Sequence, residues 1–239
     1  MRTERFGELT ARVTGGHDGH GGGDGPLVVL LHGFGAPGDD LVELGRVLRA
    51  PAGTRYVFPE APLSLAPYGY GPGRAWWMLD LEALQRRTRG ERVDRSQELP
   101  EGLVQAREQM AAALVHIEQR MSVPRERLLL GGFSQGSMLA CDVVLHSEQK
   151  PAGLMLLSST LIARADWAPR MAGCRGLPVL QTHGRQDPLL PFGDAEELRD
   201  LLRGAGADMT FLAFDGGHEL PPPVLDAVSR FIETHGGGV

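Results

Sequence analysis

The chain has 239 residues, of which 42% are hydrophobic and 23% charged, a balance typical of a globular protein with one sizeable core. Its formal net charge is −6 and its Lys and Arg residues are scattered, so no basic face predicts binding to nucleic acid or to an anionic membrane. No apolar run approaches the roughly 20 residues that a membrane-spanning helix needs, which argues against integral membrane association.

The N-terminus and the cysteines bear on the cellular compartment. The first residues, MRTER, lead into polar sequence without the apolar core of a secretory signal, so we expect a cytoplasmic protein. Cys141 and Cys174 are the two cysteines, and neither has a metal-ligand partner at close spacing. We therefore expect two small packing residues rather than a disulfide framework or a metal site.

The N-terminal part of the chain predicts a strand followed by a flexible connection. Residues 11–14 have the pattern of a short strand, and residues 15–26 contain seven glycines, which predicts a mobile hairpin loop. His17 and His20 lie in this stretch, but a metal site would require further ligands on a more rigid support. We expect no metal there.

From residue 27 onward, short continuous apolar runs alternate with amphipathic segments. Such runs are typical of strands that are buried on both faces of a parallel sheet. Residues 101–121 give the clearest helical stripe, with an apolar residue at every third or fourth position. The predicted strands are 27–31, 55–58, 128–132, 153–157, 179–182 and 210–214, and the other predicted helices are 40–48, 136–146, 194–203 and 223–234.

This alternation predicts an α/β fold in a single domain that spans residues 1–239. Parallel neighbours need crossover connections, and right-handed crossovers place helices on both faces of a doubly wound, mostly parallel sheet. Residues 79–100 depart from the pattern, because they are rich in Arg, Glu and Gln and have little apolar periodicity. We interpret them as a polar excursion near the functional site, with a solvated loop as the alternative.

The sequence GFSQG at residues 132–136 matches the pattern GxSxG and lies between a predicted strand and a predicted helix. In that position the glycines allow a sharp turn, which projects the hydroxyl of Ser134 above the sheet and directs the N-terminus of the next helix toward it. This placement, more than the match itself, indicates a nucleophilic serine.

A serine hydroxyl becomes nucleophilic only when a nearby base removes its proton, so the chain must provide a histidine. His218 follows the last predicted strand and should reach the same sheet edge as Ser134. His183 also ends a strand, but its position close before the predicted acid favours a supporting role. That acid is Asp187, which gives the chain order Ser, Asp, His. Asp215 is the alternative, although its position favours capping a turn.

Acyl transfer also requires donors for a developing oxyanion, and LHGFG at residues 31–35 follows the first buried strand. Its glycines permit close backbone approach, so we expect the backbone N–H groups of Phe34 and Gln135 to be these donors. A structural turn is the alternative. A dinucleotide-binding loop is not supported, because no third glycine follows at the required spacing.

Trp76 and Trp77 follow residues 59–73, a run that is rich in Pro and Gly. The segment is too irregular for a core strand, so the two rings are predicted to line an acyl pocket and to bind substrate. Packing of the large rings beneath a long loop is the alternative.

Taken together, these blocks resemble the phospholipase/carboxylesterase family of α/β-hydrolases, which includes bacterial carboxylesterases and acyl-protein thioesterases. The likeness covers nearly the whole chain and rests on LHGFG at 31–35, GGFSQG at 131–136, HGRQDP at 183–188 and GHE at 217–219. The resemblance implies an α/β-hydrolase fold, a tryptophan by the acyl site at position 76, oxyanion donors from Phe34 and Gln135, and a triad of Ser134, Asp187 and His218.

The chain also departs from the family's pattern. Ser137 follows Gly136 where the family often has a second glycine, and three prolines follow the histidine block at residues 221–223. Neither departure touches the predicted chemistry. The length and charge of residues 79–100, however, leave the substrate preference open.

We therefore predict a serine carboxylesterase that hydrolyses small-molecule acyl esters through an acyl-enzyme, without a cofactor or metal. Thioesters and lysophospholipids are further candidate substrates. Two alternatives stay open: a non-catalytic α/β-hydrolase homologue that binds a small molecule, and a hydrolase of amides or lactones. The sequence fixes neither the acyl-chain length nor the oligomeric state, for which a homodimer is one option.

Overall fold

The computed structural model describes residues 1–80 and 96–237, in which strands and helices alternate. The strands are β1 (Arg2–Phe6), β2 (Leu9–Gly16), β3 (His20–Gly22), β4 (Leu27–Leu31), β5 (Arg55–Pro59), β6 (Leu63–Ser64), β7 (Arg74–Ala75), β8 (Leu128–Phe133), β9 (Gly153–Leu157), β10 (Pro178–Gly184) and β11 (Asp208–Phe214). The α-helices of these residues are α1 (Leu44–Val47), α2 (Leu103–Met121), α3 (Gln135–His146), α4 (Arg164–Arg170), α5 (Phe192–Gly204) and α6 (Pro222–His235).

Nine strands form one sheet in the order β1-β2-β5-β4-β8-β9-β10-β11, with β3 paired to β2. The six strands from β5 to β11 in this order are parallel to one another, whereas β1 and β2 form an antiparallel hairpin at one edge. All six parallel strands are among those that the apolar runs predict. The mostly parallel sheet is therefore confirmed.

Five of the six parallel strands are buried on both faces, whereas β11 at the sheet edge is partly exposed. In β4, Leu27, Val29 and Leu31 belong to one apolar cluster while Val28 and Leu30 belong to a second, because successive side chains of a strand point to opposite faces. The first cluster includes apolar side chains of α2, α3, α4 and α5, and the second includes those of α6. Helices thus cover both faces, as the doubly wound prediction requires.

The prediction of a loop over residues 15–26 is wrong in part. Residues 20–22 form β3, which pairs in parallel with the end of β2. Asp18 stabilises the turn between β2 and β3, because its Oδ1 accepts hydrogen bonds from the backbone N–H groups of His20 at 2.7 Å and Gly22 at 2.8 Å.

The helix predicted over residues 40–48 is shorter in the structure and is limited to α1. Before it, the backbone N–H groups of Val42 and Leu44 donate to carbonyls three residues back, which gives successive tight turns rather than an α-helix. The sequence analysis also missed β1, the short pair β6 and β7, and α4, which contains Pro169. In the described ranges, no helix combines the length and the apolar character that crossing a membrane would demand.

Candidate active site

Ser134 lies at the turn between β8 and α3 with φ 54° and ψ −122°, a backbone conformation that a residue with a side chain rarely adopts. Hydrogen bonds to the backbone of Ser134 hold this turn. The N–H of Ser134 donates to the carbonyl of Leu157 at 2.9 Å, and the Ser134 carbonyl accepts from Ser137 N–H at 2.9 Å and Ser137 Oγ at 2.6 Å. Ser137 thus stabilises the turn through both its backbone and its side chain.

The glycines on either side of Ser134 bring the turn against β4. A Cβ at Gly132 would lie 2.5 Å from the carbonyl carbon of Gly136 and 2.7 Å from the carbonyl oxygen of Leu31. A Cβ at Gly136 would overlap the same Leu31 oxygen. Because these neighbours are backbone atoms, no side-chain rotation can make room, and only glycine fits both positions.

Asp187 and His218 form a close pair. Asp187 Oδ2 accepts a hydrogen bond from His218 Nδ1–H at 2.6 Å, and Asp187 Oδ1 accepts from the N–H groups of Leu189 and Leu190, both at 2.9 Å. The Asp187 side chain is fully buried, and that of His218 is 13% exposed. Burial raises the pKa of Asp187, but the hydrogen bonds from His218, Leu190 and Leu189 outweigh burial, so the net pKa lies below its usual value. An ionised carboxylate fixes the proton on Nδ1 and leaves Nε2 of His218 as the basic nitrogen.

The two loops that carry this pair are joined by their backbones. Arg185 N–H donates to the carbonyl of Phe214 at 2.9 Å, and Gln186 N–H donates to the carbonyl of Gly216 at 3.0 Å. At Gly184 the loops are so close that a Cβ would overlap the carbonyl oxygen of Gly217. Gly184 therefore sets the approach of the His218 loop to the Asp187 loop, a role that the sequence analysis missed.

Gly184→Ala is expected to displace the His218 loop, because a backbone carbonyl cannot move aside without moving the loop. Because His218 is the predicted general base, misplacing it by about 1 Å should lower kcat at least tenfold, and the crowding should lower the free energy of unfolding by about 1–3 kcal/mol. Gly204→Ala at the end of α5 is the matched control, since no atom lies within 4 Å of the added Cβ. Ester turnover and chemical denaturation of both variants check the prediction, and equal behaviour would contradict it.

The alternative residues, His183 and Asp215, differ from the predicted pair in position. His183 Nε2 lies 3.5 Å from Asp187 Oδ2, but His183 does not line the cavity described below. His183 is fully buried, and its Nε2–H donates to the carbonyl of Leu190 at 2.9 Å, so it supports the segment that holds Asp187. Burial lowers the pKa of His183 and keeps its ring neutral. The Asp215 side chain is 89% exposed and lies 3.7 Å from Arg185, so Asp187, not Asp215, is paired with His218.

Ser134 and His218 line one cavity of about 640 Å³. The ring of His218 packs against that of Phe133, the residue before Ser134, with 4.7 Å between the ring centroids. Among the described hydrogen bonds, none joins Ser134 Oγ to His218. Such contacts are often long before substrate binds and tighten in the substrate complex.

Most of the other predicted site residues also line this cavity. Phe34, Gln135 and Trp77 are on its wall, and much of the remaining wall is apolar, with Met78, Leu79, Met138, Leu161, Ile162 and Leu190. Leu79, Asp80, Glu98 and Pro100 of the predicted excursion 79–100 line the cavity as well, while residues 81–95 lie outside the described residues.

Trp76 lies behind the wall rather than on it. Its indole Nε1 donates to the carbonyl of His32 at 2.9 Å. The fully buried side chain of Gln135 joins both tryptophans to α3, since Oε1 accepts from Trp76 N–H at 3.0 Å and Nε2 donates to the Trp77 carbonyl at 2.8 Å. The placement favours Trp77 over Trp76 as a ring that contacts substrate. No sequence signal predicts the role of the Gln135 side chain, because its partners are far away along the chain.

One cluster in the described ranges has the residue types of a metal site, namely Asp142, His146 and Asp166. However, a guanidinium nitrogen of Arg107 lies 3.1 Å from both Asp142 Oδ2 and His146 Nε2. Arg107 is therefore already paired with the buried Asp142 carboxyl group, whose second oxygen accepts from Trp167 Nε1 at 2.7 Å. We interpret the cluster as an ion-pair network that joins α2, α3 and α4.

Comparisons with known proteins place this chain in one family. A family model described as phospholipase/carboxylesterase matches residues 22–236. The chain is 28% identical over 218 residues to acyl-protein thioesterase 1 of Gibberella zeae, covering 86% of this chain and 88% of that protein. It is 28% identical over 216 residues to acyl-protein thioesterase 1 of Eremothecium gossypii, covering 87% and 86%.

A solved structure shares this fold. The crystal structure of esterase PE8 matches with a TM-score of 0.80 at 27% identity, covering 95% of this chain and 99% of that chain. Because the family model spans most of the sequence and the fold matches over nearly all of it, the chain belongs to the phospholipase/carboxylesterase family of α/β-hydrolases and is a serine hydrolase.

Proposed function

We propose that this protein is a serine carboxylesterase in which Ser134 is the nucleophile, His218 the general base and Asp187 the carboxylate that orients the base. One observation carries the proposal. His218, which is held by a 2.6 Å hydrogen bond to Asp187, lines the same cavity as Ser134. Ser134 lies on a turn with the strained backbone that is typical of a nucleophile.

In the proposed reaction, Ser134 Oγ attacks the carbonyl carbon of an ester while His218 Nε2 takes the hydroxyl proton. The tetrahedral intermediate expels the alcohol, which receives that proton from His218, and an acyl-enzyme remains. Water then attacks the acyl-enzyme by the same route, so the carboxylic acid leaves and Ser134 regains its proton. Asp187 stays ionised throughout and stabilises the imidazolium. The sequence of steps requires no cofactor.

The oxyanion donors in this proposal are the backbone N–H groups of Phe34 and Gln135. Gln135 is the first residue of α3, where backbone N–H groups lack a partner within the helix and the helix dipole favours negative charge. Phe34 lies in the loop after β4, and both residues line the cavity with Ser134. Two fixed donors at this point would stabilise charge that develops on the carbonyl oxygen.

The apolar wall supports an acyl group as the part of the substrate that enters the cavity. Two curated relatives are acyl-protein thioesterases, so a thioester is a candidate beside an oxygen ester. Trp77, as the large ring on the wall, is proposed to contact the acyl chain. A cytoplasmic location and a single domain that spans residues 1–239 stay predictions.

Turnover of p-nitrophenyl esters from acetate to palmitate, with an acyl thioester, an anilide and a lactone alongside, tests the proposal. We expect multiple turnovers on esters and labelling of Ser134 by a fluorophosphonate, because an activated serine reacts with both. Labelling without turnover would favour a binding protein, and efficient cleavage of the anilide or lactone without ester turnover would favour the other hydrolase class.

A further inference from the structure

The buried histidine of the LHGFG loop, His32, makes three hydrogen bonds that join segments around the cavity. Its Nδ1 lies 2.9 Å from the carbonyl oxygen of Gly33, and its Nε2 lies 3.1 Å from the backbone nitrogen of Ala61. Its own carbonyl accepts the indole N–H of Trp76 at 2.9 Å. His32 is 2% exposed, so these contacts form out of reach of solvent.

The partners of the ring determine which nitrogen carries its proton. The N–H of Ala61 can only donate, so Nε2 must be the unprotonated acceptor. The carbonyl oxygen of Gly33 can only accept, so Nδ1 must carry the proton. Burial lowers the pKa of His32, which agrees with a neutral ring.

The carbonyl that His32 contacts belongs to the same peptide unit as the N–H of Phe34. A peptide unit is planar and trans, so its C=O and N–H point in opposite directions, and a bond that fixes one end fixes the other. This peptide is next to the nucleophile, because a Cβ at Gly33 would lie 3.2 Å from the Cβ of Ser134. The Phe34 N–H is therefore held on the side of the peptide away from His32.

We propose that His32 is a positioning residue, whose Nδ1–H bond to the Gly33 carbonyl orients the Phe34 N–H as an oxyanion donor. The inference rests on the proposed function, in which the Phe34 N–H stabilises the oxyanion. A hydrogen bond to the carbonyl also polarises the peptide and strengthens its N–H as a donor. His32 acts through the loop and does not contact the substrate.

Two substitutions separate the two ring nitrogens. His32→Asn places an amide N–H near the position of Nδ1 and retains a donor for the Gly33 carbonyl. His32→Gln reaches the position of Nε2 and retains an acceptor for Ala61 N–H, but it loses the bond to Gly33. Because loss of a whole oxyanion donor costs about 10²–10³ in kcat, misorientation of one should cost about 10- to 100-fold.

We expect kcat for p-nitrophenyl butyrate to fall about 10- to 100-fold in His32→Gln and less than about fivefold in His32→Asn, with KM within about twofold for both. The inhibition constant of a trifluoromethyl ketone, which forms an oxyanion on Ser134, should rise in parallel with the loss of kcat. Thermal unfolding of both variants shows whether a loss of stability, rather than a changed oxyanion donor, accounts for the loss of kcat.

Equal losses of kcat in the two variants, or a change confined to KM, would overturn the role of His32. If the parent still turns over esters, the proposed function is not affected by that result. Absence of ester turnover in the parent would overturn the proposed function itself. Histidine ¹⁵N spectra of the parent provide a measurement that needs no variant to fold. An Nδ1–H tautomer of His32 is expected, and an Nε2–H tautomer would overturn the inference.

Discussion

Ser134→Ala is expected to lower kcat for esters by about 10⁴-fold or more, because the proposed mechanism loses the atom that attacks the carbonyl. The free energy of unfolding should change by less than about 1 kcal/mol. Alanine retains the Cβ, so the strained φ of 54° at this position is neither relieved nor worsened. The hydrogen bonds that hold the turn use the backbone of Ser134 and the hydroxyl of Ser137, and both remain.

A second serine of the same helix region provides the control. Ser147 follows α3, and its hydroxyl donates to the Gln149 carbonyl at an exposed site. Ser147→Ala should therefore retain parental kcat and fluorophosphonate labelling. Retention of more than about 1% of parental activity in Ser134→Ala, after contaminating wild-type protein is excluded by active-site titration, would reject Ser134 as the nucleophile.

Asp187→Asn is expected to lower kcat by about 10³- to 10⁴-fold. The carboxylate accepts hydrogen bonds in two directions, from His218 through Oδ2 and from Leu189 and Leu190 through Oδ1. An amide has one acceptor and one donor group. If its NH₂ faces His218, the imidazole must adopt the other tautomer and loses its basic Nε2, and if it faces the two backbone N–H groups, the turn loses its acceptor.

The same substitution should change how stability depends on pH. The native pKa of Asp187 is lower than its ordinary value of 3.8, so the ionised carboxylate stabilises the fold at pH values above 3.8. This contribution is lost as the pH falls through the native pKa. The parent should therefore be more stable than Asp187→Asn at neutral pH, and the difference should shrink in acid, as urea denaturation across this range can measure.

Asp215→Asn is the matched control for both readouts. Asp215 lies in the loop that carries His218, but its side chain is 89% exposed and it is not the partner of the imidazole. We expect kcat within about twofold of the parent and a stability change within about 0.5 kcal/mol. Comparable losses in Asp215→Asn and Asp187→Asn would contradict the assignment of Asp187.

Much of the site could be predicted because parallel strands end at one edge of a sheet. Ser134, Asp187 and His218 each follow a predicted strand, and that rule alone brings their loops together. The same rule places Phe34 after β4. It gives no information about side-chain partners, which explains why the supporting contacts of His32 and Gln135 did not emerge from the sequence.

The pattern of apolar residues in the sequence was least informative for residues 40–48 and for the two tryptophans. Trp76 and Trp77 are adjacent and chemically identical, yet one donates to a loop carbonyl while the other lines the cavity. Residues 40–48 have an apolar pattern compatible with a helix, but they form one short helical turn after several tighter ones. For the tryptophans, the distinction comes from a contact between distant segments, the hydrogen bond from Trp76 to the His32 carbonyl.

The sequence by itself determined the fold class, the positions along the chain of the six parallel strands, and the residues that could supply acyl-transfer chemistry. These follow from periodicity and from the position of a motif relative to a strand, both of which are local. Only the tertiary structure decided the 2.6 Å pairing of Asp187 with His218, the cavity volume and the orientation of the Gly33–Phe34 peptide. Such features depend on distances between segments far apart in the chain, which packing sets and local pattern does not.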